Sequence, residues 1–176
     1  MVAIDNYDGT LVVRSALKLS PLLFCRPGEL RHMEWSEVDF EQERVVIPAE
    51  KMKMGDPFII PLSKQSLSIL KALHPHTSNG KYVFPSAQGN SRPLSENGVR
   101  VALRAMGYDN DTMCAHGFRA MARTLLDEVL EYRIEWIECQ LAHAVKDANG
   151  RAYNRTSYIK RKRLIITLLE SNRLLN

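Results

Sequence analysis

The sequence has no run approaching the roughly 18 apolar residues of a membrane span, which predicts no transmembrane segment. The first residues, Met1-Val2-Ala3-Ile4-Asp5, lack a basic region followed by an apolar one, so no signal peptide is expected. Cysteine is scarce. Cys25, Cys114 and Cys139 are odd in number, far apart and form no CxxC pair. That argues against a disulfide framework and for a reducing cytoplasm. There is no glycine-rich nucleotide loop of the GxGxxG or P-loop kind, no internal repeat and no low-complexity tract. His74-Pro75-His76 has neither a cysteine nor a carboxylate nearby to complete a tetrahedral metal set, and reads as solvated loop.

What is present is ordinary in bulk and uneven in detail. The 176 residues suit one domain with a real core, and 45% hydrophobic with 25% charged residues suits a globular protein. Net charge is +4, compatible with a polyanionic partner without demanding one. Arg151, Arg155, Lys160, Arg161, Lys162 and Arg163 form a stretch free of acids, whereas Glu34, Glu37, Asp39, Glu41 and Glu43 crowd another. A solvated helix face would account for the basic run equally well.

The pattern predicts a mainly α (α+β) domain with one small sheet. A helix spans 11–25, ending near Ser20-Pro21 or continuing through. Pro27 opens a second, reaching about Trp35. Val38–Phe40 and Arg44–Ile47 read as a hairpin, followed by a second hairpin arm at Lys51–Met54 with a return at Phe58–Ile60; a small antiparallel sheet of three strands is the economical reading of this stretch. Ser63 caps a helix with a Leu67, Leu70, Leu73 stripe. Residues 74–93 read as loop with a buried island at Tyr82-Val83-Phe84. Ser95 opens a helix to about Met106, stopped by Gly107. Residues 117–130 form a helix with Leu125, Leu126, Val129 and Leu130 as core. Ile134, Trp136, Ile137 and Leu141 mark a short one, Asp147–Gly150 a turn, and 157–172 a basic amphipathic helix.

Some residue types stand out against that frame. His116 precedes a helix that Gly117 opens, and Arg119 follows on nearly the same face, so imidazole and guanidinium could converge on one anion near a helix start. Taken alone, HxxR also describes a surface histidine and an ion-paired arginine. Arg26 stands among apolar residues in Phe24-Cys25-Arg26-Pro27-Gly28-Glu29-Leu30, where an internal pair with Glu29 or Glu34 is the plain alternative.

Arg26-Pro27-Gly28-Glu29-Leu30 with Trp35, His116-Gly117-Phe118-Arg119, Leu141-Ala142-His143 and Arg151-Ala152-Tyr153-Asn154-Arg155 together resemble the catalytic domain of tyrosine recombinases. The resemblance is to prophage and satellite-phage integrases found beside bacterial tRNA genes, and runs from about residue 5 to about residue 163. It implies a helical catalytic fold with a small antiparallel sheet near the N-terminus. It implies Arg26 and Arg119 as the arginines holding the scissile phosphate, His116 as the proton-handling histidine and His143 as donor to a non-bridging oxygen. Tyr153 would be the nucleophile, with Tyr158 kept as a half-buried side chain. The family's catalytic lysine lies on a β-hairpin. Lys53 matches it by register, with Lys51 as the second choice. Arg151, Arg155, Lys160, Arg161 and Arg163 are the candidate DNA contacts. No cofactor or metal is implied.

The implied activity is site-specific DNA strand cleavage and rejoining through a 3′-phosphotyrosyl intermediate, for prophage or genomic-island integration and excision. A metal-independent nuclease and a non-catalytic DNA-binding prophage remnant remain alternatives. Implied partners are double-stranded attachment-site DNA, other integrase subunits as a tetramer on DNA, a directionality factor and a DNA-bending host protein, without a membrane. The implied location is the bacterial cytoplasm, at the nucleoid. Residues 1–176 are expected to be a single catalytic domain, with the family's arm-binding and core-binding domains absent. The apolar Leu164-Ile165-Ile166-Thr167-Leu168-Leu169 departs from the family's C-terminus.

Overall fold

Thr10 starts the helix around which the rest is assembled. Its Oγ1 accepts a hydrogen bond from Val13 N at 3.4 Å, satisfying one of the orphan donors of the first turn. A computed structural model of the chain describes residues 2–52 and 55–143. A short helix α1 (Val2–Asp5) precedes α2 (Leu11–Leu23), which carries fully buried Ala16, Leu17, Leu19 and Leu23. Helix α2 runs through Pro21, the second of the two expected outcomes. Proline there removes one N–H from the ladder. The Ser20 hydroxyl, a turn beyond Ala16, donates to the Ala16 carbonyl at 2.8 Å. The helix ends at Phe24, whose φ of 54° is left-handed.

Helix α3 (Pro27–Arg31) opens on proline as expected but stops well before Trp35. Tertiary pairing wins over helix continuation. The Val83 N–H donates to Met33 O at 2.9 Å and the Trp35 N–H to Lys81 O at 3.1 Å, which draws residues 33–35 out straight. A 3-10 turn at Trp35–Glu37 follows.

The sheet has strands β1 (Val38–Asp39), β2 (Arg44–Ile47) and β3 (Phe58–Pro61) in the order β1-β2-β3, all antiparallel. Val45 pairs with Ile60 and Ile47 with Phe58, and these four face the core. The expected arm at Lys51–Met54 is not a strand at its beginning. Ala49–Lys51 is a 3-10 turn after Pro48, and β2 pairs directly with β3. Residues 53 and 54 lie outside the described residues.

Helix α4 (Lys64–Thr77) is capped by Ser63, whose Oγ accepts from Ser66 N at 3.0 Å. It extends through His74-Pro75-His76, which is therefore helix and not loop. The region after it also holds a two-stranded ladder, β4 (Pro85–Ser86) with β5 (Gly89–Pro93), where loop was expected. Val83 and Phe84 are fully buried as the island predicted, while Tyr82 is half-buried.

Helix α5 (Gly98–Ala105) starts slightly later than expected, and Gly107 at φ 89° ends that region. Helix α6 (Gly117–Thr124) has His116 at its cap. It passes into a π-helical turn at Leu125–Val129, not a continuous α-helix. The wider turn buries Leu126, leaves Leu125 and Leu130 half-buried, and exposes Val129 at 56%, so Val129 is not core. Helix α7 (Ile134–Gln140) buries Ile137, with Ile134 facing outward. Helix α2 packs on α4, α5 and α6, which places its C-terminal end beside the start of α6. Among the described residues, no helix is long and apolar enough to cross a membrane. The turn at 147–150 and the helix at 157–172 fall outside them.

Candidate active site

The left-handed residue at Phe24 turns the chain out of α2 into an extended Cys25-Arg26, so Arg26 meets the first turn of α3. Glu29 fixes it there. One carboxylate oxygen accepts from the Arg26 backbone N–H at 2.7 Å and the other from Arg26 Nη1 at 2.7 Å. This reciprocal cap spends both oxygens of a carboxylate only 8% exposed. The internal pair with Glu29 is thus present, yet it leaves the far side of the guanidinium reaching on. Arg26 Nη2 donates to Ala142 O at 3.3 Å.

Arg119 reaches the same place from α6. It is only 4% exposed, and among the described residues no carboxylate pairs with it directly. Its Nη1 donates to Phe24 O and its Nη2 to Leu141 O at 2.6 Å. The two arginines, distant in sequence, are therefore tied to adjacent carbonyls at the end of α7. Burial first, and the neighbouring Arg26 guanidinium second, hold Arg119 below the usual arginine range. A guanidinium stays charged through such shifts. The site thus concentrates positive charge with one guanidinium compensated by carbonyl dipoles, an arrangement suited to an arriving oxyanion.

His143 stands beside them. Arg119 Nη2 lies 3.0 Å from His143 Nε2, and His143 Nδ1 lies 2.6 Å from Glu138 Oε2. The other oxygen of Glu138 accepts from Arg123 Nε at 3.1 Å. Ala142, at φ 52°, turns the chain at the end of α7 and delivers His143 to this position. His116, at the cap of α6, is exposed and three residues from Arg119 on the adjoining turn.

Lys51 is committed elsewhere. Its Nζ donates to Glu34 Oε1 and Glu37 Oε1, both at 2.5 Å, and to His32 O at 3.2 Å. Burial works against its charge, but the hydrogen bonds it donates to Glu34 and Glu37 outweigh that and raise its pKa. A cleft of about 590 Å³ lies between this cluster and Arg26, with Glu29, His32 and Lys81 on its walls. Lys53, Tyr153, Tyr158 and the basic residues Arg151, Arg155, Lys160, Arg161 and Arg163 lie outside the described residues.

Four contributors escaped the sequence reading. Glu138 and Arg123 had no motif to mark them, although a carboxylate five residues before His143 at a helix end was a usable signal. The carbonyls of Phe24 and Leu141 carry no sequence signature at all. Cys25, between Phe24 and Arg26, is buried, and burial first, then the Glu29 carboxylate, push its thiol up to about 12. That makes it an inert neighbour of the site.

Residues 2–159 match the model of the Phage integrase family. The chain is 38% identical over 174 residues to the integrase of Enterobacteria phage P4, an alignment covering 91% of this chain and 40% of that protein. The chain thus spans well under half of that relative's length. In fold it is similar to the catalytic core of lambda integrase, with a TM-score of 0.61 at 21% identity over 86% of this chain and 91% of that one. It is also similar to a lambda integrase tetramer bound to a Holliday junction, with a TM-score of 0.60 at 19% identity, covering 88% of this chain and 46% of that one. The fold is that of tyrosine recombinase catalytic domains, and by its sequence the chain belongs to the phage integrase family.

Proposed function

We propose that this chain is the catalytic part of a site-specific DNA recombinase that cuts and rejoins strands through a phosphotyrosyl bond. The observation that carries the reading is the meeting of Arg26, Arg119 and His143 at one helix end, fed by three separate segments. Such a cluster can stabilise the charge that builds on a phosphodiester's non-bridging oxygens.

In the reaction, the Tyr153 hydroxyl oxygen forms a bond to phosphorus while the P–O5′ bond breaks. The phenol, with a pKa near 10 when free, must lose its proton, and His116 assists that movement. Lys53 supplies a proton to the departing 5′ oxygen. Lys51 is the weaker choice because two carboxylates hold it. A 5′ hydroxyl from another strand then reverses the attack, so the linkage energy is retained and no nucleotide is hydrolysed. Attachment-site DNA is the substrate, and Arg151, Arg155, Lys160, Arg161 and Arg163 are its phosphate contacts. Further copies of the chain assemble on that DNA as a tetramer. A directionality factor and a DNA-bending host protein complete the partners, at the nucleoid of a bacterial cytoplasm.

A suicide substrate nicked near the cleavage point tests this on a denaturing gel with EDTA present. Wild-type protein is expected to give a covalent band that Tyr153→Phe loses and Tyr158→Phe keeps. Arg119→Ala or Arg26→Ala should slow its appearance by about a hundredfold or more. A band that persists in Tyr153→Phe would refute the assigned nucleophile, and cleaved DNA without any adduct would favour a nuclease.

A further inference from the structure

The hydrogen-bond inventory around His143 fixes its tautomer. A guanidinium has only donors. With Arg119 Nη2 at 3.0 Å, His143 Nε2 must therefore be the acceptor. The ring proton then sits on Nδ1 and is donated to Glu138 Oε2 at 2.6 Å. Glu138 is itself held, since Arg123 Nε donates to its other oxygen at 3.1 Å and the carboxylate is 21% exposed. Helix α7 supplies Glu138 and α6 supplies both arginines, so a carboxylate bracketed by two elements orients the ring from behind.

We infer that Glu138 is a positioning residue that acts through His143, holding its ring so that Nε2 faces the Arg119 guanidinium. This rests on the recombinase reading above and deepens it. Glu138 touches no reacting atom. Its carboxylate sets the rotation of the imidazole, as carboxylates behind functional histidines do, and fixes which nitrogen points at the arginine. Arg123 has a derived part, since it keeps Glu138 from turning toward solvent. An arriving phosphate oxygen would compete with Nε2 for the Arg119 donor. It would then meet the histidine at Nε2, the nitrogen that Glu138 keeps turned toward the arginine.

Two measurements on the full chain test this. The first is nitrogen NMR of His143 without DNA, at a pH where the ring is neutral. Wild type and Glu138→Gln, which keeps an acceptor for Nδ1–H, are expected to show the proton on Nδ1, and Glu138→Ala to lose that preference. The second is single-turnover cleavage of the nicked substrate, with DNA affinity measured in parallel. Glu138→Ala is expected to be roughly tenfold slower with affinity within about twofold, and Glu138→Gln to recover most of the rate. The double variant Glu138→Ala/His143→Ala should be no slower than His143→Ala alone. An unchanged tautomer in Glu138→Ala, or losses that multiply in the double variant, would overturn the inference. Absence of any adduct in wild type would instead overturn the recombinase reading, while the NMR result would still decide whether Glu138 governs the ring.

Discussion

Lys51 sits between two carboxylates, and its response to pH follows from that placement. Glu34 is pushed up by burial, but hydrogen bonds from Lys51 and Lys81 outweigh this and hold it below the usual carboxylate range. Its contribution to stability is present above that usual range and is lost as pH falls through its depressed value. Lys51 is raised, so its contribution is complete below the ordinary lysine pKa of about 10.4 and is lost as pH rises through the higher folded value. Replacing Lys51 with methionine should therefore cost about 2 kcal/mol at neutral pH, the worth of a hydrogen bond to a charged group. The cost should shrink toward both acid and strongly alkaline conditions. Melting temperature measured against pH checks this. A variant curve that runs parallel to wild type would mean the cluster contributes no pH-dependent stability. The same placement turns the Lys51 ammonium toward Glu34 and Glu37, although Lys51 and Arg26 line the same cleft.

Helices here are decided largely at their ends. Ser63 bonds both the Ser66 N–H at 3.0 Å and the Ser66 hydroxyl at 2.8 Å, so Ser63→Ala should cost about 1 kcal/mol. The denaturation midpoint should fall with an unchanged slope, and an unmoved midpoint would mean water replaces the cap freely. Caps of this kind were legible in the sequence because they depend on residues three apart, as were the β-branched strand at Arg44–Ile47 and the Pro27 start of α3. Features set by distant partners were not legible. Helix α4 passes His74 although Pro75 gives up the N–H bond to the carbonyl four residues back, and the His74 ring packs 4.7 Å from Trp35. The β4–β5 ladder forms on weak strand formers because Leu94 is buried and its N–H donates to Phe84 O at 2.7 Å. The π-turn at Leu125–Val129 adds a residue to one turn, which no periodic reading of the stripe anticipates, and swings Val129 outward. For the site, the sequence showed which residue types carry chemistry. It could not show that Arg26 and Arg119 would share a helix end, because their anchors are main-chain atoms.

At the scale of the whole molecule, Cys25 reports on the integrity of core and site together. It is buried between Phe24 and Arg26, and a thiol pushed up to about 12 offers almost no thiolate at neutral pH. Cys114 is exposed. A thiol reagent should therefore modify Cys114 at once, and Cys25 only from the unfolded chain, at a rate that rises with denaturant as steeply as global unfolding. Mass analysis of labelled peptides checks this, and equal labelling of both in native buffer would show that the core opens locally beside Arg26. The tethering of both arginines to the carbonyls of Phe24, Leu141 and Ala142 has a consequence for tolerance to change. Every amino acid brings a carbonyl, so replacing those three side chains leaves the acceptors in place. Inheritance can erode this cradle only by substituting the arginines themselves or by displacing the helix termini that present the oxygens, which makes α7's seating, more than its composition, the quantity on which selection would act.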